Sequence, residues 1–185
     1  MANVVVYGCR KLRVAALDAD GGVPVTPTYV DCTVPQQCSF TPQVISGQQA
    51  ELRGGDELVA QITEFDDIVG MDFTFTDAKL NGQLLYALIG GSWVTASSTY
   101  TAPIAGVDSP QFLTKLYVTK FSDGSQHESD STGYVLFTFP NCTAVMPTFT
   151  AQDRSFLSPQ FTIKARQNIT DSLASWTFTE TTVLP

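Results

Sequence analysis

The sequence predicts a mainly β fold, a sandwich or barrel of two packed antiparallel sheets with one flanking α-helix. Three observations carry that expectation. Apolar and polar residues alternate over short runs, the period of a strand with one buried face. Met71, Phe73 and Phe75 alternate with Asp72, Thr74 and Thr76, and Phe161, Ile163 and Ala165 with Thr162, Lys164 and Arg166. Turn signals recur along the chain at sandwich-like spacing, roughly every ten residues. A single segment carries apolar residues at helical spacing, with Leu80, Leu84 and Leu88 on one stripe and Leu85 and Ile89 beside it. At 185 residues the chain fits one domain, by the prior of about 100–200 residues each.

The elements follow in order. Leu12, Val14 and Ala16 alternate with Lys11, Arg13 and Ala15, which makes residues 11–17 a first strand. Asp20-Gly21-Gly22 is a turn, and Pro24, Pro27 and Pro35 make residues 19–38 irregular or a sheet edge. Residues 39–45 read as a strand and residues 46–56 as a polar loop. Leu58, Ala60 and Ile62 alternate with Val59, Gln61 and Thr63, and the Met71–Phe75 pattern follows. Asp77 offers an N-cap for a helix over residues 78–89, closed by Gly90 and Gly91. Residues 92–110 are Ser/Thr-rich without periodicity. Strands then cover residues 112–121, residues 134–139 (apolar on both faces, hence central), residues 161–166 and a short stretch around Trp176 and Phe178. The total is about eight strands.

Composition narrows function. Charged residues are only 15%, against about 25% in an average soluble domain. Thr- and Ser-rich exposed faces explain this, and so does burial in an assembly, because interface cores are depleted in charge. Ten Lys and Arg against 18 Asp and Glu give a net charge of −8, which disfavours clustered phosphate contacts and hence DNA binding. The apolar run at the start is too short for a signal peptide, and none approaches the ~18 residues of a membrane span. A cytoplasmic product is expected. Cys9, Cys32, Cys38 and Cys142 then read as free thiols rather than disulfides. The five residues between Cys32 and Cys38 do not match zinc spacing.

No catalytic, cofactor or metal site emerges. His127, the one histidine, lies in Ser125-Gln126-His127-Glu128-Ser129-Asp130. Triad members normally come from separate elements, so a solvated loop is the expectation. A calcium loop over residues 123–130 lacks the alternating ligands and closing Glu. The acids Asp56-Glu57 and Glu64, Asp66 and Asp67 read as surface charge rather than a glycosidase pair. Gly54-Gly55 lacks the Lys-Ser/Thr of a phosphate loop.

A resemblance adds to this reading. The order Arg53-Gly54-Gly55-Asp56-Glu57-Leu58-Val59, an acidic turn, Phe73-Thr74-Phe75-Thr76-Asp77 and a helix ending Leu84-Leu85-Tyr86-Ala87-Leu88-Ile89-Gly90-Gly91 resembles the core of major tail tube proteins of long-tailed bacteriophages. Phe137-Thr138-Phe139-Pro140-Asn141-Cys142 and residues 158–168 resemble their paired late strands. The resemblance covers roughly residues 39–168 through loose patterns. It implies a structural virion protein, not an enzyme, of 1–185 as a single tail tube domain. Such subunits form hexameric rings that stack into a hollow tube conducting DNA without specific binding. It implies partners in further copies of the chain and in tape measure, tail terminator and distal tail proteins, with assembly in the host cytoplasm and residence in the virion tail.

In that frame the loop with Ser46, Gly47, Gln48, Gln49, Glu51, Arg53, Gly54 and Asp56 is expected to contact the next ring, with residues 19–38 as the competing segment. Glu64, Asp66, Asp67 and Asp72 are expected to line the lumen, with Lys164 and Arg166 turned to an interface or the outside. Two rivals remain. One is a β-sandwich carbohydrate-binding or adhesion module, with Trp93, Tyr100 and Trp176 as a solvent-facing row. The other is an enzyme with a dispersed acidic site.

Overall fold

The computed structural model of the chain describes residues 5–32, 34–54, 57–122, 131–149, 153 and 157–185. Among these, twelve strands and one helix follow in order. The first half of the chain supplies β1 (Val5–Ala16), β2 (Val30–Cys32), β3 (Pro35–Ile45), β4 (Gln49–Gly54), β5 (Glu57–Thr63) and β6 (Asp67–Asp77). Helix α1 (Gly82–Ile89) comes next, followed by β7 (Ser92–Val94) and β8 (Thr99–Thr101). Last come β9 (Phe112–Phe121), β10 (Ser131–Thr148), β11 (Gln160–Arg166) and β12 (Thr177–Thr181).

The main sheet is antiparallel and continuous, in the order β2-β1-β9-β10-β11-β6-β3, with β12 also paired to β10. It folds over on itself. Strand β3 lies three places from β10, about 14 Å in a flat sheet at ~4.7 Å per strand. Yet the ring of Phe40 on β3 sits 5.7 Å from Phe137 and 6.0 Å from Phe139 on β10. Strands β1 and β3 are five places apart in the sheet, and still Cys9 Sγ approaches Cys38 Sγ to 3.2 Å. The expected sandwich is thus two halves of one sheet facing each other.

Strand β10 belongs to both halves. Its first part pairs with β9 on one side and, through Tyr134–Thr138, with β12 on the other; from Asn141 onward it pairs with β11. The β9 register slips between Phe139 and Cys142, which places buried Pro140 in the irregularity. Proline lacks the N–H that a regular ladder position needs, and strands that switch sheets do so at such bulges.

The core lies between the halves. Leu12, Val14, Phe112, Leu116, Phe139 and Cys142 come from one side, and Phe73, Phe75, Phe161, Ile163 and Ala165 from the other. Phe73 stacks on Phe139 at 4.7 Å, and Phe75 on Phe161 at 4.8 Å. Helix α1 buries Leu84, Leu85, Leu88 and Ile89 in the same core.

Several expectations need correction. The helix begins at Gly82, not residue 78, with Asn81 as its N-cap: Asn81 Oδ1 accepts from the amides of Gln83 and Leu84 at 3.0 and 3.4 Å. Asp77 does not cap it, because its amide donates to Pro159 and that of Ala78 to Val34, both to backbone carbonyls. Those donors are committed to strand contacts, so Leu80 stays outside the helix and exposed. The polar loop at 46–56 holds strand β4, paired with β5 from Gln49↔Thr63 to Gly54↔Glu57. The irregular segment 92–110 contains the β7–β8 hairpin, and 19–38 contains β2 and the start of β3. Pro35 does lie on an edge strand, β3, which also holds Pro42.

Phe139→Ala would leave a cavity at the fold of the sheet, since Phe139 is fully buried between Phe73 and Phe40. A stability loss of about 3–5 kcal/mol is expected, read as a lower urea midpoint with an unchanged slope.

Candidate assembly surface

Strands β3 and β6 pair as far as Ile45↔Asp67, and β4 and β5 continue from Gln49↔Thr63. One long hairpin is therefore interrupted at residues 46–48 and 64–66, and its outer arm forms a separate two-stranded sheet. Six residues of β4 at ~3.3 Å each reach about 20 Å from the main sheet.

The interruption is braced. Gly47 N–H donates to Asp66 Oδ1 at 3.0 Å, and Glu64 N–H to the carbonyl of Gln48 at 2.9 Å. Gly47 is required there, because an added Cβ would come within 2.0 Å of the Glu64 carbonyl oxygen. Of the sequence-selected residues, Ser46, Gly47, Gln48 and Asp66 thus form the kink, whereas Gln49, Glu51, Arg53 and Gly54 belong to β4. Asp56 lies outside the described residues, as do His127 and residues 123–130.

Around this kink large apolar side chains are exposed among the acids. Phe65 is 90% exposed, Ile68 73%, Ile62 67% and Ile45 63%, and Val44 and Val69 are exposed too. Ile45, Ser46, Gly47, Glu64, Phe65 and Asp67 line an open groove beside it. Reading residues 46–56 as a polar loop missed this patch. The available signal was the apolar content of Val44-Ile45 and Ile68-Val69 on either side of the acidic turn.

The acidic candidates separate. Glu64, Asp66 and Asp67 are exposed at the kink. Asp72 sits on the outer face of the sheet, in register with Lys164, and pairs with Arg166 Nη1 at 2.9 Å. Directly opposed residues share a face, so Asp72 and Lys164 lie on the same side of the sheet. Arg166 reaches Asp72 across Gly70, where a Cβ would lie 2.8 Å from the guanidinium. The same face also carries Ser39, Thr41, Thr74, Thr76 and Thr162, which accounts for part of the low charge content.

A second exposed feature is an aromatic cluster. Phe137, Trp176 and Phe178 form a triangle with ring separations of 6.4, 6.4 and 6.3 Å, and Phe40 lies 5.7 Å from Phe137; Phe40 and Phe178 are exposed. Of the aromatics singled out in the sequence, only Trp176 belongs to it. Trp93 and Tyr100 pair across β7–β8, and the Tyr100 hydroxyl donates to the Gly90 carbonyl at 3.0 Å, so both serve the helix end.

Elsewhere, Asp31 on β2 accepts from Lys11 at 2.7 Å and Arg13 at 2.8 Å on β1. Burial acts to raise its pKa, but hydrogen bonds and charge from the two cations hold the carboxyl below its ordinary range. Burial pushes the Cys142 thiol up to about 12. Among the described residues, no cluster of three His, Cys, Asp or Glu is placed to hold a metal ion, and no helix is long and apolar enough to cross a membrane. No protein-family model matches the chain, and no curated protein matches it either.

Gly47→Ala should open the kink without unfolding the sandwich. A local cost of about 1.4–3 kcal/mol corresponds to roughly 10- to 100-fold faster amide exchange. Hydrogen exchange should show this at Glu64, with the amides of β6 and β11 unchanged.

Proposed function

We propose that the chain is a self-assembling structural subunit, one protomer of stacked rings that form a tail tube, as its resemblance to tail tube proteins implies. The observation that carries this reading is the β4–β5 arm with its apolar base. A two-stranded hairpin on its own is marginally stable in water, and contiguous exposed apolar surface marks an interaction site. Further copies of the chain are the natural cover for both. Rings that stack head to tail make heterologous contacts, the open kind that yields filaments. In this reading the protein acts as a conduit rather than an enzyme, its rings are hexameric, and tape measure, terminator and distal tail proteins contact its ends. The virion tail is its final location.

The purified protein at micromolar concentration should scatter light as rings or longer polymers and show tubes by electron microscopy. Replacing residues 49–63 with a tight Gly-Ser turn should shift the thermal midpoint by only a few degrees, because surface loops tolerate length changes cheaply. The same replacement should abolish tubes. A wild-type protein that stays monomeric over a wide concentration range removes the tube reading. Normal tubes from the shortened variant move the stacking role to residues 19–38.

The lumen assignment narrows to Glu64, Asp66 and Asp67, since Asp72 is already paired with Arg166. Carboxylates facing a DNA channel repel phosphates, and more strongly at low salt. Because Asp66 braces the kink, the test is Glu64→Lys with Asp67→Lys. Tails carrying both changes should assemble and then eject DNA more slowly at low ionic strength. Ejection at the normal rate at every salt concentration refutes the assignment.

The aromatic cluster favours a second reading, a carbohydrate-binding or adhesion module, because exposed ring faces such as those of Phe40 and Phe178 suit sugar faces. Quenching of Trp176 fluorescence by oligosaccharides, in a protein that forms no rings, would support it over the tube.

A further inference from the structure

We propose that Cys9 and Cys38 form a reactive dithiol that closes to a disulfide by exchange with a small-molecule disulfide. Their sulfurs stand 3.2 Å apart, and both residues are half-buried, within reach of a small reagent. They come from β1 and β3, which face each other across the fold without backbone pairing. The β1 register with β9 shifts on both sides of Cys9, between Tyr7 and Cys9 and between Cys9 and Lys11, and Gly8 takes a φ of 68°. Bulges of this kind re-aim a side chain. They also give the strand slack for the roughly 1.2 Å of closure to a disulfide bond of about 2.05 Å.

The other two thiols are differently placed. Cys142 is fully buried and lies 3.5 Å from the Phe139 carbonyl oxygen. Cys32 is buried beside Asp77, and burial first, then the carboxylate, holds its thiol well above the ordinary range.

The chemistry balances. Either sulfur can donate to the other; with the Cys9 thiol as donor, the hydrogen bond lowers the Cys38 pKa, and Cys38 is then the attacking thiolate. It attacks one sulfur of the reagent, breaks the reagent's S–S bond and expels one thiolate, which leaves a mixed disulfide on Cys38. The Cys9 thiol, giving up its proton to the expelled thiolate, then attacks the Cys38 sulfur. The second thiolate leaves and takes up the proton that Cys38 had lost to solvent. Two cysteines are oxidised and one reagent disulfide is reduced to two thiols. The bridge would join strands five places apart and close the folded sheet covalently at its open seam. This inference rests on the sulfur geometry and does not depend on the assembly reading.

The test uses the full chain with oxidised glutathione. Thiol titration in denaturant should fall from four to two, reversibly on adding dithiothreitol, and the thermal midpoint should rise by about 5–10 °C for a ring of some thirty residues. Residues 14–53 contain no Lys or Arg before Arg53, so trypsin leaves Cys32 and Cys38 on one peptide. The Cys32→Ser variant therefore assigns the bridge, and it should cross-link as the wild type does. Cys9→Ser should instead retain glutathione on Cys38. Four surviving thiols in the oxidised wild type, or a bridge that tandem mass spectrometry maps to Cys32 or between chains, overturns the proposal.

Discussion

Strand β10 has to serve two sheets at once, and the rest of the molecule is arranged around that requirement. A strand of 18 residues is far longer than the usual five or six, and sheet twist prevents it from staying in one flat layer. The irregularity at Pro140 is where the strand leaves β9 behind and turns to β11. Phe137 and Phe139 lie just before the turn and meet Phe40 and Phe73 from the opposing half. The aromatic stack fills the space that the fold creates. Without those rings the two halves would face each other across a void, and without the bulge the rings could not meet.

Electrostatics plays a secondary part and works strand to strand. Lys11 and Arg13 on β1 hold Asp31 on β2, Arg166 on β11 holds Asp72 on β6, and Lys120 on β9 holds Glu180 on β12. Each is at least partly exposed, so each contributes at most about 1 kcal/mol. Their effect is to fix register at edges where apolar alternation is weak.

Parts of this fold are legible in the residues. Strands β6 and β11 alternate cleanly because each has one face in the core, and the apolar stripe of α1 is visible for the same reason. What local pattern could not convey was decided at long range. Asp77 looks like a helix cap, but its amide is claimed by Pro159 and that of Ala78 by Val34, so the cap falls to Asn81. Strand β4 was hidden because its alternation, Ala50 and Leu52 against Glu51 and Arg53, is short and lies among turn-forming Gly47, Gly54 and Gly55. The apolar base of that arm was equally hidden, since Ile45, Phe65 and Ile68 look like core residues until the fold leaves them outside. The closeness of Cys9 to Cys38 depends wholly on the fold-over and has no sequence signal.

Pro42 on the free edge strand β3 bears on what kind of polymer this chain can make. Proline offers no N–H, so a further strand laid along that edge would meet a missing donor in mid-ladder. An eleven-residue edge bearing Phe40, Val44 and Ile45 would otherwise invite cross-β growth, in which each chain templates the next without limit or defined angle. With the ladder interrupted, copies have to meet through side chains and the projecting arm. Contacts of that sort have a fixed geometry, and they separate an ordered filament from an amyloid one.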